Sequence, residues 1–170
     1  MIADGLTLLT GAFNPVNLAL IGQLVTAIGA TPGTNTIDTG PLASAQNSDS
    51  GGGDLDVTIR VLNTLTSAAA ATVQFQLVTA DDPALSVNVQ VIDQTDALPF
   101  ALLVAGTDFS LYWTRTAPYV PKRYAGLRTV VAVAALTNAT GWLAALVGVD
   151  HQDLGVGGRG PIFKSGFSVT

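Results

Sequence analysis

The sequence contains no cysteine and a single histidine, which excludes disulfides, thiolate metal sites and any histidine-rich metal centre. It also contains no glutamate: all 12 acidic residues are aspartate, and Lys and Arg together number 7. The charged residues that best support helices are therefore scarce, while Gly, Thr, Val and Asp, which favour strands and turns, are plentiful. No stretch approaches the roughly 20 uninterrupted apolar residues of a membrane span. The net charge of -5 supplies no basic face with which to displace counterions from a phosphate backbone. Neither a membrane nor a nucleic acid is expected as a partner.

What remains is a chain of 170 residues, 48% of them apolar, enough for one domain with a proper core and too few for two of ordinary size. The segment from Val16 to Ala30 is apolar, but its leader carries Asp4 and neither Lys nor Arg, so it reads as mature protein rather than a secretory signal.

Alternation of apolar and polar residues is the strongest local signal. In Asp54 to Val61 it puts Leu55, Val57, Ile59 and Val61 on one face, in Thr72 to Leu77 it puts Val73, Phe75 and Leu77 on one face, and Ser86 to Val91 repeats the pattern. Further strands are predicted at Ala101–Val104, at Asp108–Thr114 with Phe109, Leu111 and Trp113 together, at Arg123–Ala134 and at Gly141–Val149. An earlier one is predicted at Thr34–Thr39. Turn residues separate them, notably Ala80-Asp81-Asp82-Pro83 and Thr137 to Gly141. About eight short antiparallel strands with one wet face predict an all-β sandwich of the jelly-roll type.

Two regions fall outside this rhythm. Residues 1–33 read as an N-terminal arm, with a short helix allowed over Asn14–Ala30 although Gly22 and Gly29 weaken it. Residues 153–170 read as a Gly-rich C-terminal arm, leaving 34–152 as the body. Ala43 to Gly53 reads as an exposed loop.

Candidate chemistry is sparse. Gly51-Gly52-Gly53 precedes a strand and lacks the Lys and glycine spacing of a phosphate loop, so it reads as a connector. Asp49, Asp54 and Asp56, or Asp81 with Asp82, lack the spacing of a calcium loop and read as turn carboxylates. His151 lies near Asp150 and Asp153, but no serine sits in a nucleophile elbow. Trp113 and Trp142 sit in apolar runs and read as core rather than as a sugar-stacking platform with Tyr112, Tyr119 and Tyr124. No catalytic residue, cofactor or metal ligand is assigned. The one basic cluster, Arg115, Lys122, Arg123 and Arg128, interleaves with Tyr119 and Tyr124, the residue types that carry protein interfaces. The cluster reads equally as an ordinary solvated edge or, with Phe163 and Phe167 of the tail, as the candidate interface.

The order of motifs also carries a resemblance: the Asp-Asp-Pro turn after a glutamine-bearing strand (Gln74 to Pro83), Leu98-Pro99-Phe100, Ala105-Gly106-Thr107, Pro118 to Pro121, Arg123 to Arg128, Thr140-Gly141 and Val149 to Gln152. Over about Thr34 to Gln152 the chain resembles the jelly-roll cement protein family of tailed bacteriophages known from Bordetella-type short-tailed phages. That resemblance implies a non-enzymatic virion protein on the outer capsid surface, bound to the major capsid protein at or near local symmetry axes as a dimer or trimer. A carbohydrate-binding surface sandwich and a head-tail connector or tail component are the alternatives. If the arms carry attachment, removing residues 1–33 or 155–170 should leave the body folded while abolishing binding.

Overall fold

The computed structural model of the protein describes residues 8–17, 19–38, 55–113 and 122–148. Among them the chain forms twelve strands: β1 (Leu8–Thr10), β2 (Ala12–Phe13), β3 (Leu20–Ile21), β4 (Gly29–Pro32), β5 (Ile37–Asp38), β6 (Leu55–Val61), β7 (Thr72–Ala80), β8 (Gln90–Gln94), β9 (Leu98–Pro99), β10 (Asp108–Trp113), β11 (Tyr124–Ala132) and β12 (Leu143–Gly148). One sheet has the order β1-β12-β6-β10; the other has β4-β11-β7-β8, with β5 also on β11 and β9 also on β7. The pairings are antiparallel. The expected β-sandwich is what forms.

The period-2 pattern explains the packing. Val57, Ile59 and Val61 of β6 turn inward beside Leu111 and Trp113 of β10 and Leu143, Ala145 and Val147 of β12, facing Val73, Phe75 and Leu77 of β7 and Leu127 and Val131 of β11. Phe75 is the hinge of this core, with its ring 5.5 Å from Phe109 and 6.3 Å from Trp142 of the opposite layer. Outward positions of β6 are polar, and Arg60 meets Asp108 across the β6–β10 pair through two bonds of 2.8 and 2.7 Å.

Four expectations are corrected. Among the described residues of Asn14–Ala30 no helix forms; the stretch contains β3 and the first two residues of β4. Residues 8–32 are not an external arm, because β1 and β4 are edge strands of the two sheets and Leu9 and Val25 are buried in the core. Ala101–Val104 is not a strand: Phe100–Leu102 is a 3-10 turn closed by the Leu103 amide on the Phe100 carbonyl, which drops Leu103 into the core. The strand expected at Ser86–Val91 starts only at Gln90, because Asp82 captures the Ser86 and Val87 amides at 2.8 and 2.7 Å and holds a turn. Of the strand expected at Thr34–Thr39, Ile37 and Asp38 pair with β11, while Asn35 crosses to the other sheet and donates its amide to the Leu9 carbonyl at 3.1 Å. The loop 43–53, the tail 153–170 and His151 lie outside the described residues.

The N-terminal segment is fixed to the body by backbone contact. A Cβ on Gly22 would lie 2.7 Å from the Gly141 carbonyl carbon, and one on Gly141 would lie 1.7 Å from the Gly22 oxygen. With no side chains between them, the Gln23 amide reaches the Leu143 carbonyl at 2.8 Å and the buried Trp142 Nε1 donates to the Val25 carbonyl at 2.9 Å. Two outcomes are expected from denaturant unfolding. Leu9→Ala should cost about 2–5 kcal/mol, the loss of a core leucine, where an arm residue would cost under about 0.5. Gly141→Ala should destabilise by about 1–3 kcal/mol or more, because neither neighbour is a side chain that can swing aside.

Candidate interaction surface

The outer face of the β4-β11-β7-β8 sheet gathers most of the polar side chains that the sequence singles out. On β7, Thr72, Gln74, Gln76 and Val78 point away from the core, opposite Ala132, Val130, Arg128 and Gly126 of β11. Arg128 donates from Nε and Nη2 to the Gln76 side-chain oxygen at 2.9 and 2.7 Å. Gln76, only 8% exposed, passes its own amide to the side-chain oxygens of Gln74 at 3.1 Å and Gln94 at 2.9 Å. Gln74 then donates to the Thr95 carbonyl at 2.9 Å. A ladder of neutral amides anchored on one guanidinium therefore crosses three strands.

At one end of the face the chain folds over itself. Asp82 accepts the Ser86 and Val87 amides and the Ser86 hydroxyl, the last at 2.8 Å. Leu85 (φ 53) and Asn88 (φ 49) take the left-handed conformation that non-glycine residues rarely adopt. The result places Leu85 against Gly126, where an added Cβ would meet its Cδ1 at 2.8 Å, and forms a second buried cluster with Val78, Ala80, Val89 and Tyr124.

The predicted cluster divides. Lys122, Arg123 and Tyr124 lie together at this end, and Arg128 lies four residues further along β11; Arg115, Tyr119, Phe163 and Phe167 lie outside the described residues. Each described cation has an in-chain partner: Lys122 with Asp81 at 3.5 Å, Arg123 with both oxygens of Asp38 at 2.8 to 3.2 Å, and Arg128 with Gln76. The Arg123 guanidinium also stacks 5.1 Å from the Tyr124 ring centroid, and Asp38 beside it raises its already high pKa. The partners Asp38, Gln76 and Gln94 were not singled out from sequence, and Asp81 was weighed there only as a calcium ligand. Gln74 and Gln76 were visible as outward residues two apart, but their match to Arg128 depends on a register set 52 residues away.

Asp81 and Asp82, weighed as calcium ligands, direct oxygens to Asn88, Lys122, Ser86 and Val87 within the chain. Trp113 and Trp142 are buried as the sequence predicts, while Tyr112 is exposed on the opposite sheet. The described aromatics therefore do not assemble a stacking platform.

The family model described as Bbp16 matches residues 20–147, from the start of β3 almost to the end of β12. No curated protein matches the chain.

Two outcomes follow from the face itself. Gln76→Ala leaves the part-buried Arg128 without its acceptor and should cost about 1.5–3 kcal/mol in denaturant unfolding, the worth of a hydrogen bond to a charged group. The backbone amides of Val87 and Ser86, with the Ser86 hydroxyl, hold the Asp82 carboxyl below its ordinary 3.8. A lowered folded pKa gives stability that is complete above 3.8 and drains away as the pH falls through the folded value. Amide exchange at Ser86 and Val87 should therefore accelerate below that pH and stay slow above it, and Asp82→Asn should remove the transition.

Proposed function

The chain belongs to the Bbp16 family, whose name points to a bacteriophage protein, and from that premise we propose that it is a structural virion protein that cements the capsid. In this reading it binds the outer surface of the major capsid protein shell, bridges neighbouring capsomers and meets its own copies as a dimer or trimer at local symmetry axes. It carries no catalytic role, and neither nucleic acid nor membrane is its partner.

The observation that carries the reading is the family match, which spans the sandwich rather than a short motif. Strand order supports it. Counting β4 with β5 and β8 with β9, the eight principal strands run 1-8-3-6 in one sheet and 2-7-4-5 in the other. We read that order as a jelly roll, a double sheet of interlocked Greek keys that recurs in viral capsid proteins. The work of such a protein is mechanical, and its small affinity per copy is multiplied by repetition across the shell.

A density map of the intact virion tests the proposal. The expected result is this sandwich on the outer shell surface in hundreds of symmetric copies. Density confined to one vertex, in about a dozen copies or fewer, would replace cementing with a connector or tail role.

A further inference from the structure

The chain has no charged residue and no histidine from Gly5 to Ile37, while every described charge comes from residue 38 onward. Within that neutral stretch β2 and β3 pair as a hairpin. Ala12 faces Ile21 on its outer side, both exposed, and Phe13 faces Leu20 on its half-buried side. Its asparagines hold neighbouring backbone: Asn14 accepts the Val16 amide at 2.9 Å, Asn17 accepts the Ala19 amide at 3.1 Å, and the Asn14 amide closes onto the Ala19 carbonyl at 2.8 Å. This holds Val16 out in solvent, 91% exposed, with Ile21 and Leu24 each at 48% and Ile28 at 60%.

Val133 extends the same margin. It follows the β11 residues paired with Gly29 and Ala30, near the Leu136 amide that reaches the Thr26 carbonyl at 2.9 Å. It is 74% exposed and has φ 71, a conformation that is an outlier for a β-branched side chain. Strain that gains no core contact is a mark of sites kept for interaction.

We propose that this margin, the hairpin with Leu24, Ile28 and Val133, is the face that seats on the capsid shell, in an uncharged apolar groove of the shell protein. The inference rests on the cementing role proposed above. Interface cores are depleted in charge because each desolvated ion must be repaid by a partner, and this margin brings none. A hairpin rooted by the Gly22–Gly141 backbone contact is preorganised, so little ordering entropy is lost on docking. A second copy offers it a poorer seat: the cleft along Leu8, Leu9 and Thr34 to Asp38 ends in the Asp38–Arg123 ion pair. The described cations of the basic cluster, Lys122, Arg123 and Arg128, are already paired within the chain.

The test adds purified full-length protein to shells lacking it and measures occupancy at about 50 and 500 mM salt, a range that strongly screens ionic contacts. Wild-type occupancy should be nearly independent of salt. Val16→Asp and Ile21→Asp, whose exposed side chains leave the unfolding midpoint unchanged, should each lower affinity at least about tenfold by burying an unpaired carboxylate. Arg123→Ala should bind as wild type does. Wild-type binding together with undiminished binding by both Asp variants overturns this inference and leaves cementing standing. Absence of wild-type binding overturns both. If the Asp variants bind shells normally but turn an oligomer into a monomer in sedimentation, or lose flotation with neutral phosphatidylcholine vesicles, the occupant is a second copy or a lipid surface, and the inference fails.

Discussion

The arrangement depends on two glycine backbones lying in contact. Gly22 and Gly141 leave no room for a Cβ on either side, and only at that distance can Gln23 exchange backbone hydrogen bonds with Trp142 and Leu143. Trp142 is then held from both ends: its ring packs on Phe75 of the opposite sheet, and its indole N–H is satisfied by the Val25 carbonyl 117 residues earlier. One contact therefore joins the N-terminal segment, the start of the last strand and the far layer of the core. It also lets β1 lie against β12, so the last strand is covered on both edges. The cost is kinetic, since contacts of such sequence separation form only after long loops have closed.

The sequence-based reading succeeds where a strand is six to nine residues long and buried on one face. β6, β7, β10, β11 and β12 show that alternation in their residues, and each forms within a few residues of its expected place. The short edge strands are invisible for a physical reason. β2 to β4 are two to four residues long and half-exposed or exposed, so little selects an apolar face, and Gly22 and Gly29 read only as poor helix formers, while of the strand expected at Thr34–Thr39 only Ile37 and Asp38 form β5. Ser86–Val91 shows the converse failure, because its valines alternate well but the Asp82 carboxylate offers the backbone a competing set of bonds. The candidate face was half legible: Arg128 was named in the basic cluster and the β7 glutamines were implied only as the outward residues of an alternating strand, while the ladder joining them needed the register.

That ladder changes what the basic residues can do. Arg123 and Asp38 are about half exposed, so their pair contributes little and could be exchanged for a partner's carboxylate with little net gain. Arg128 is different, since drawing it toward another protein would leave Gln76 buried without its donor, a loss of the kind that makes unmet polar groups expensive. Neither case favours an ionic attachment: Arg123 gains little by changing partner, and Arg128 is committed to its own sheet, with Leu85 and its turn laid over one end.

A surface whose charges are satisfied internally still has to attach to something if the protein works by assembly. The free energy must then come from apolar area, and apolar area is useful only where it is exposed, contiguous with a rigid support and unencumbered by ions. The N-terminal margin meets each condition through a different feature: exposure through Val16 and Val133, rigidity through the two glycines and the asparagine-capped tip, and neutrality through the uncharged run from Gly5 to Ile37. The same backbone contact that completes the sandwich thus also holds its neutral hairpin, so that folding and, in the proposed role, attachment would depend on a single joint.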